Sequence, residues 1–197
     1  NGANTSFIHR LLDARAAVAE IVRDPVAAAT ATEPMRNPRI PLPADLYGAW
    51  RNSSGINLAD EATRVTLRAQ MNAALEGEKY AFPIVNGDHL YGGARREVRN
   101  PADANHIVGY VADPDAAEIE KALDATAAAQ AEWGARGADA RAELLERAAD
   151  RIETARADLI ALIVAEGGRC IPDAVAEVRE AADYCRYYAQ LARTQFA

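Results

Sequence analysis

Apolar positions in residues 6–32 recur at three- and four-residue spacings: Ile8, Leu11, Leu12, Ala16, Ala19 and Val22 fall on one face. That period predicts a helix with one buried stripe. Asp24-Pro25 ends it or opens a short new one, because the residue before proline is pushed out of the helical region. From residue 33 the pattern dissolves. Pro34, Pro38, Pro41 and Pro43 lack backbone donors, and Ile40-Pro41-Leu42-Pro43 reads as an extended, stiff linker. Asn52-Ser53-Ser54-Gly55 is a turn cluster. The helical period returns over residues 61–75, with Asp60 or Asn57 as cap, and with Val65, Leu67, Met71 and Leu75 partly buried. Gly77 is a plausible stop.

Short strands come next. Phe82-Pro83-Ile84-Val85 runs into Asn86-Gly87, a pair that tolerates the positive φ angles of a tight hairpin. Glu97-Val98-Arg99 and Ile107-Val108-Gly109-Tyr110-Val111 predict two more strands around an Asn100-Pro101-Ala102-Asp103 turn. Three long helices follow. Asp113-Pro114 supplies a cap and a first helical residue. That helix is expected to carry Ile119, Leu123, Thr126 and Trp133 inward. Asp139 opens a second stretch through Leu144, Leu145, Ala148, Ile152, Leu159, Leu162 and Ile163, with a break at 154–157 and a stop at Gly167-Gly168. Pro172-Asp173 opens the last helix, expected to reach about residue 194. Abundant alanine in this zone permits close helix packing, and there is no internal repeat.

Composition narrows the function classes. With 22 Lys and Arg against 29 Asp and Glu, the net charge is −7, so no cationic field recruits nucleic acid or a membrane surface. The two cysteines, Cys170 and Cys185, cannot build a disulfide framework or a Cys-rich zinc site. A reduced, cytoplasmic setting follows. The longest apolar run, 159–165, is far shorter than the roughly 20 residues that span a bilayer. The chain opens without Met and without a basic-then-apolar leader, and it reads as a piece of a longer polypeptide.

Candidate chemistry is sparse on the residues alone. Neither glycine-rich phosphate-loop spacing occurs; Gly92-Gly93 and Gly167-Gly168 are isolated pairs of the turn or cap kind. His9, His89 and His106 have no ligand spacing. Cys170, beside a helix N-terminus, is a nucleophile candidate, although such a residue is more often a small buried filler. Arg95, Arg96 and Arg99 suit an anion or, more commonly, a solvated strand edge. On the last helix Glu177, Glu180, Tyr184 and Tyr187 or Tyr188 fall at helical spacing. They form either the wall of a ligand cavity or a solvent-facing ladder with Arg179 and Arg186 as partners.

Two sets of motifs sharpen this. Val98-Arg99-Asn100-Pro101-Ala102-Asp103 with Ile107-Val108-Gly109, Glu146-Arg147-Ala148-Ala149-Asp150, Glu166-Gly167-Gly168-Arg169, and above all the run from Ala176-Glu177-Val178-Arg179-Glu180 through Asp183-Tyr184-Cys185-Arg186-Tyr187-Tyr188 resemble the N-terminal part of an aldehyde dehydrogenase of the glutamate-semialdehyde (pyrroline-carboxylate) branch. Gly2-Ala3-Asn4-Thr5-Ser6-Phe7, Asn37-Pro38-Arg39-Ile40-Pro41-Leu42-Pro43 with Tyr47-Gly48, and Arg51-Asn52-Ser53-Ser54-Gly55 resemble the junction in the proline utilisation A family. These are bifunctional enzymes that fuse a flavin-dependent proline dehydrogenase to such an aldehyde dehydrogenase.

The resemblance implies an α/β fold: the helix-rich N-terminal portion of an aldehyde dehydrogenase NAD-binding domain with short β-strands, preceded by a helical tail and a Pro-rich connector. Residues 1–36 would be the proline dehydrogenase tail, 37–80 the connector and 81–197 the aldehyde dehydrogenase part. The parent would be an oxidoreductase of proline catabolism, using FAD and NAD to take proline to glutamate by way of glutamate semialdehyde, as a cytoplasmic homo-oligomer. The family's nucleophilic Cys and cofactor loops would lie outside this stretch. The chain alone is therefore expected to hold no cofactor or metal and to catalyse neither step, with the rest of the same polypeptide as its partner. Cys170 stands where the family commonly has Thr. By the same resemblance, Glu180 is the best fit for the carboxylate that pairs with the substrate's ammonium, Glu177 is second, and Tyr184 and Tyr188 wall the same tunnel. A monofunctional semialdehyde dehydrogenase segment and a non-catalytic helical interaction or oligomerisation module remain as alternatives.

Overall fold

A computed structural model describes residues 7–33 and 36–196. It divides into two units, between Leu42 and Pro43. Residues 2–6 of the junction motif, the expected helix start at Ser6, and Pro34 lie outside the described residues.

In the first unit the single expected helix is three short ones: α1 (Phe7–Leu12), α2 (Val18–Ile21) and α3 (Pro25–Thr30). Asp13 breaks the first, because its side chain accepts the Arg15 backbone N–H at 3.0 Å and offers a turn in place of the helical bond. Asp24 caps α3 by accepting the Val26 N–H at 2.8 Å, with Pro25 at the first helical position. Ile8, Leu11, Leu12, Ala19 and Val22 are exposed, so the predicted buried stripe does not form here. Pieces of four to six residues are too short to hold helical register without tertiary packing.

The second unit opens with a 3-10 turn (Pro43–Asp45). The φ that proline fixes suits a helix start as well as an extended chain, and Pro43 uses it for the former. The helix α4 (Glu61–Ala74) is capped by Asp60, whose Oδ2 accepts the Thr63 N–H at 2.8 Å and its hydroxyl at 2.6 Å. Leu67 and Met71 are buried, Leu75 is half-buried and Val65, expected inside, is exposed. Two residues from Leu67 is about 200° around a helix, which turns Val65 to solvent.

Among the described residues, β1 (Tyr80–Ala81), β5 (Asp103–Ala112) and β4 (Arg95–Asn100) form one sheet in the order β1-β5-β4. β1 runs parallel to β5, with Tyr80 opposite Tyr110, and β4 runs antiparallel to it through the predicted Pro101-Ala102 turn. A separate hairpin joins β2 (Ile84–Val85) to β3 (Asp88–His89). Asn86 at φ 53° and Gly87 at φ 86° make it possible.

The helix α5 (Ala116–Ala135) is capped by Asp115, two residues beyond the expected Asp113. A reciprocal box with Glu118 decides the position, with bonds of 2.8 and 3.1 Å. Its residues Ile119, Leu123, Thr126 and Trp133 face outward, a second departure from expectation. Spacing identifies an apolar face but not what covers it. α6 (Gly137–Thr154) begins two residues before Asp139, and α7 (Arg156–Gly167) follows the anticipated break at Ala155. Gly168 ends α7 at φ 65°, and a Cβ there would lie 2.8 Å from the Pro101 ring. α8 (Ile171–Gln195) closes the unit.

The core sits where α4, α7 and α8 meet: Leu67 and Met71, Ile160 and Ala161, Ala174, Val175 and Val178. Along α6 and α8, Ala142, Ala149, Ala182 and Ala189 are fully enclosed, which brings the two backbones close. No described helix is long and apolar enough to cross a membrane. Ile160 is only 1% exposed at the centre. Ile160→Ala is expected to cost about 2–5 kcal/mol in urea unfolding; a loss under about 1 kcal/mol would contradict this packing.

Candidate functional site

A pair of serines in an irregular turn ties two distant parts of the second unit together. Ser53, 4% exposed, directs its backbone N–H to Asp183 Oδ1 at 2.6 Å and its hydroxyl to Asp183 Oδ2 at 2.8 Å. The Ser54 N–H donates to Glu153 Oε1 at 2.7 Å. Glu153 and Asp150 together hold Arg186, 2.8 Å from Asp150 Oδ1 and 7% exposed. Burial pushes the Glu153 carboxyl up. The Ser54 N–H and the Arg186 guanidinium outweigh that and hold its pKa below the ordinary value of 4.5. A second tie between α6 and α8 is the two-pronged Arg193–Glu146 pair at 2.6 and 2.8 Å, whose bonds likewise lower the Glu146 pKa.

These ties position the residues just before the turn. Tyr47 stacks on Trp50 with ring centres 4.8 Å apart, and Trp50 meets the Tyr187 ring edge-on at 5.7 Å. Between this aromatic pair and α8 lies an open cleft of about 430 Å³, with Glu180, Asp183, Tyr184 and Tyr187 on the α8 side. Asp183 is committed to Ser53. Glu180 is exposed and has no ion-pair partner among the described residues. Its negative charge raises the Tyr184 phenol above the ordinary 10.0. A carboxylate beside aromatic faces can receive a cationic head group.

The sequence-derived site residues separate here. Glu180 and Tyr184 line the cleft. Glu177 instead pairs with Arg169 at 3.2 Å. Tyr188 stacks on Tyr184 at 6.0 Å and abuts Tyr187, without lining the cleft itself. Arg186, expected as a partner for acids on its own helix, is buried against α6, because Asp150 and Glu153 offer it two carboxylates there. Arg179 lines the cleft, and its Nε is buried without a hydrogen bond among the described residues.

The remaining candidates are surface features. Arg96 pairs with Asp113 at 3.1 Å, Arg99 with Glu97, and Arg95 lies over the rings of Tyr80 and Phe82 on an exposed strand. That is the solvated-edge pattern. Cys170 is exposed at the start of α8 and Cys185 is partly buried within it; neither lines the cleft. Among the described residues no three His, Cys, Asp or Glu gather in a metal-binding group. No glycine-rich turn joins a strand to a helix among the described residues either. Sequence reasoning missed Tyr47, Trp50 and the Ser53–Asp183 link. Two aromatics three residues apart in an otherwise turn-rich stretch were the available signal.

The sequence profile of the aldehyde dehydrogenase family matches residues 91–196. The chain belongs to that family. It is 39% identical over 205 residues to the bifunctional protein PutA of Escherichia coli K12, covering all of this chain and 15% of that protein. The crystal structure of proline utilization A from Bdellovibrio bacteriovorus matches 98% of this chain and 19% of its own, at 26% identity and a TM-score of 0.75. A Thermus 1-pyrroline-5-carboxylate dehydrogenase with bound NAD matches 71% of this chain and 27% of its own, at 29% identity and a TM-score of 0.67. The chain thus spans under a fifth of the length of its bifunctional relatives.

The Glu153–Arg186 pairing carries a pH signature. Folding lowers the Glu153 pKa, so on acidification the unfolded chain takes up the proton first. The stabilisation is complete above the ordinary value of 4.5 and is lost as pH falls through the lower folded value. Glu153→Gln is expected to be about 1–3 kcal/mol less stable than the unmodified chain near pH 6, and the gap to narrow from below pH 4.5 toward pH 3. A gap that stays constant across urea titrations at those pH values would contradict the pairing.

Proposed function

We propose that this stretch works inside a longer bifunctional polypeptide that oxidises proline to glutamate, where it supplies one wall of the aldehyde-binding cleft. Residues 1–36 would close the proline dehydrogenase region, 37–80 form the connector and 81–197 begin the aldehyde dehydrogenase domain. The observation that carries this reading is the cleft itself. It pairs the connector with the helix that holds the most family-specific run, and on it Glu180 has no ion-pair partner among the described residues.

Glutamate semialdehyde carries an ammonium at one end and the reacting carbonyl at the other. A carboxylate on a rigid helix fixes the first and so orients the second. In this reading Glu180 accepts the ammonium and Tyr184 lines its approach. Glu177 and Tyr188 have no such part, since one is engaged by Arg169 and the other stands outside the cleft. NAD supplies the hydride acceptor and FAD serves the proline step, both held by other parts of the polypeptide. In this reading the nucleophilic thiolate belongs to another part of the polypeptide. Free thiols suit a reducing cytoplasm. The exposed apolar residues of α5 supply surface for the remaining polypeptide, and the whole works as a homo-oligomer.

In the complete polypeptide, Glu180→Ala should raise the KM for glutamate semialdehyde about tenfold or more, the loss of one charge-assisted hydrogen bond. The KM for a simple aliphatic aldehyde should stay within about twofold. Equal changes for both aldehydes in steady-state assays would remove the substrate role.

A further inference from the structure

The cleft has two sides, and Tyr47 and Trp50 on one of them come from the connector, in an irregular turn well apart in sequence from α8. We infer that the Tyr47–Trp50 pair is a specificity-determining wall for the amino-bearing head of the aldehyde, with Ser53 and Asp183 as the positioning pair that holds it against α8. The inference rests on the proposed reading of Glu180.

Three features of the cleft support this. The stacked pair at 4.8 Å and the edge contact of Trp50 with Tyr187 at 5.7 Å build a continuous aromatic face on the cleft that Glu180 also lines. The turn is not free to swing, because the two hydrogen bonds that Ser53 donates to Asp183 and the one that Ser54 donates to Glu153 pin it within three to four residues of Trp50. The charged groups lining the cleft are Glu180, Asp183 and Arg179, two negative and one positive. With Asp183 already accepting two bonds from Ser53, Glu180 is the carboxylate left for an incoming cation. Aromatic faces attract a cation through their quadrupole and exclude the water that would otherwise screen it from Glu180. An aldehyde with a plain alkyl tail gains far less from that wall than one ending in an ammonium.

The test compares two substrates in the complete polypeptide: glutamate semialdehyde and an aliphatic aldehyde of similar length. Trp50→Ala, and Trp50→Leu as a variant that keeps apolar bulk, should each raise the KM for glutamate semialdehyde at least about threefold, with kcat little changed. The aliphatic KM should move by less than about twofold, and Trp50→Phe should restore most of the discrimination. Ser53→Ala should give the same selective loss in milder form. If the Trp50 variants shift both substrates equally or neither, while Glu180→Ala still discriminates, the wall is refuted and the role of Glu180 stands. If Glu180→Ala does not discriminate either, the reading beneath it falls as well.

Discussion

Arg186 brings a guanidinium into the contact between α6 and α8, where it is almost fully out of water. Desolvating a cation costs several kcal/mol unless well-placed carboxylates surround it. Asp150 and Glu153 provide them from one turn of α6, and Glu153 spends its other oxygen on the Ser54 backbone. A buried pair of this kind adds little net stability over an apolar replacement of the same shape. Its effect is on geometry: the buried Arg186 guanidinium is acceptable in that place only with carboxylates beside it, Glu153 largely buried with it and Asp150 reaching in from the exposed side of α6. The connector turn, α6 and α8 are therefore held in one relative arrangement, and the cleft before the turn inherits its shape.

This arrangement divides labour along α8. The inward face carries Ala174, Val175, Val178, Ala182 and Ala189, small enough to let α6 and α7 approach. Asp183 and Arg186 sit at its margins and bind the turn and α6. Glu180, Tyr184 and Tyr187 are left on the outer side with the aromatic pair of the connector. Packing, the ties to the turn and α6, and the lining of the cleft thus fall on three different sectors of one helix.

Much of the second unit was legible from local chemistry. α4, the break at Ala155 and the Gly168 stop follow from period, Asp60 as cap and a left-handed glycine. The hairpin follows from Asn86-Gly87. What resisted reading was long-range. The Ser53–Asp183 bond spans 130 residues and Arg186–Glu153 spans 33, so an arginine at helical spacing among acids looked like a surface ladder. Tyr47 and Trp50 gain meaning only from α8. The outward turn of Ile119 and Trp133 on α5, and the fragmentation of 7–30 into short helices, show the same limit. Periodicity marks an apolar face without saying whether another element comes to cover it.

Amide hydrogen exchange at Ser53 and Ser54 tests most directly whether the turn is locked onto the two helices. Both N–H groups lie in a segment without secondary structure, yet each is aimed at a carboxylate of a helix. The account predicts that they exchange as slowly as the central amides of α8, and that Arg186→Met speeds both. Exchange at the rate of an open loop in the unmodified chain would contradict it.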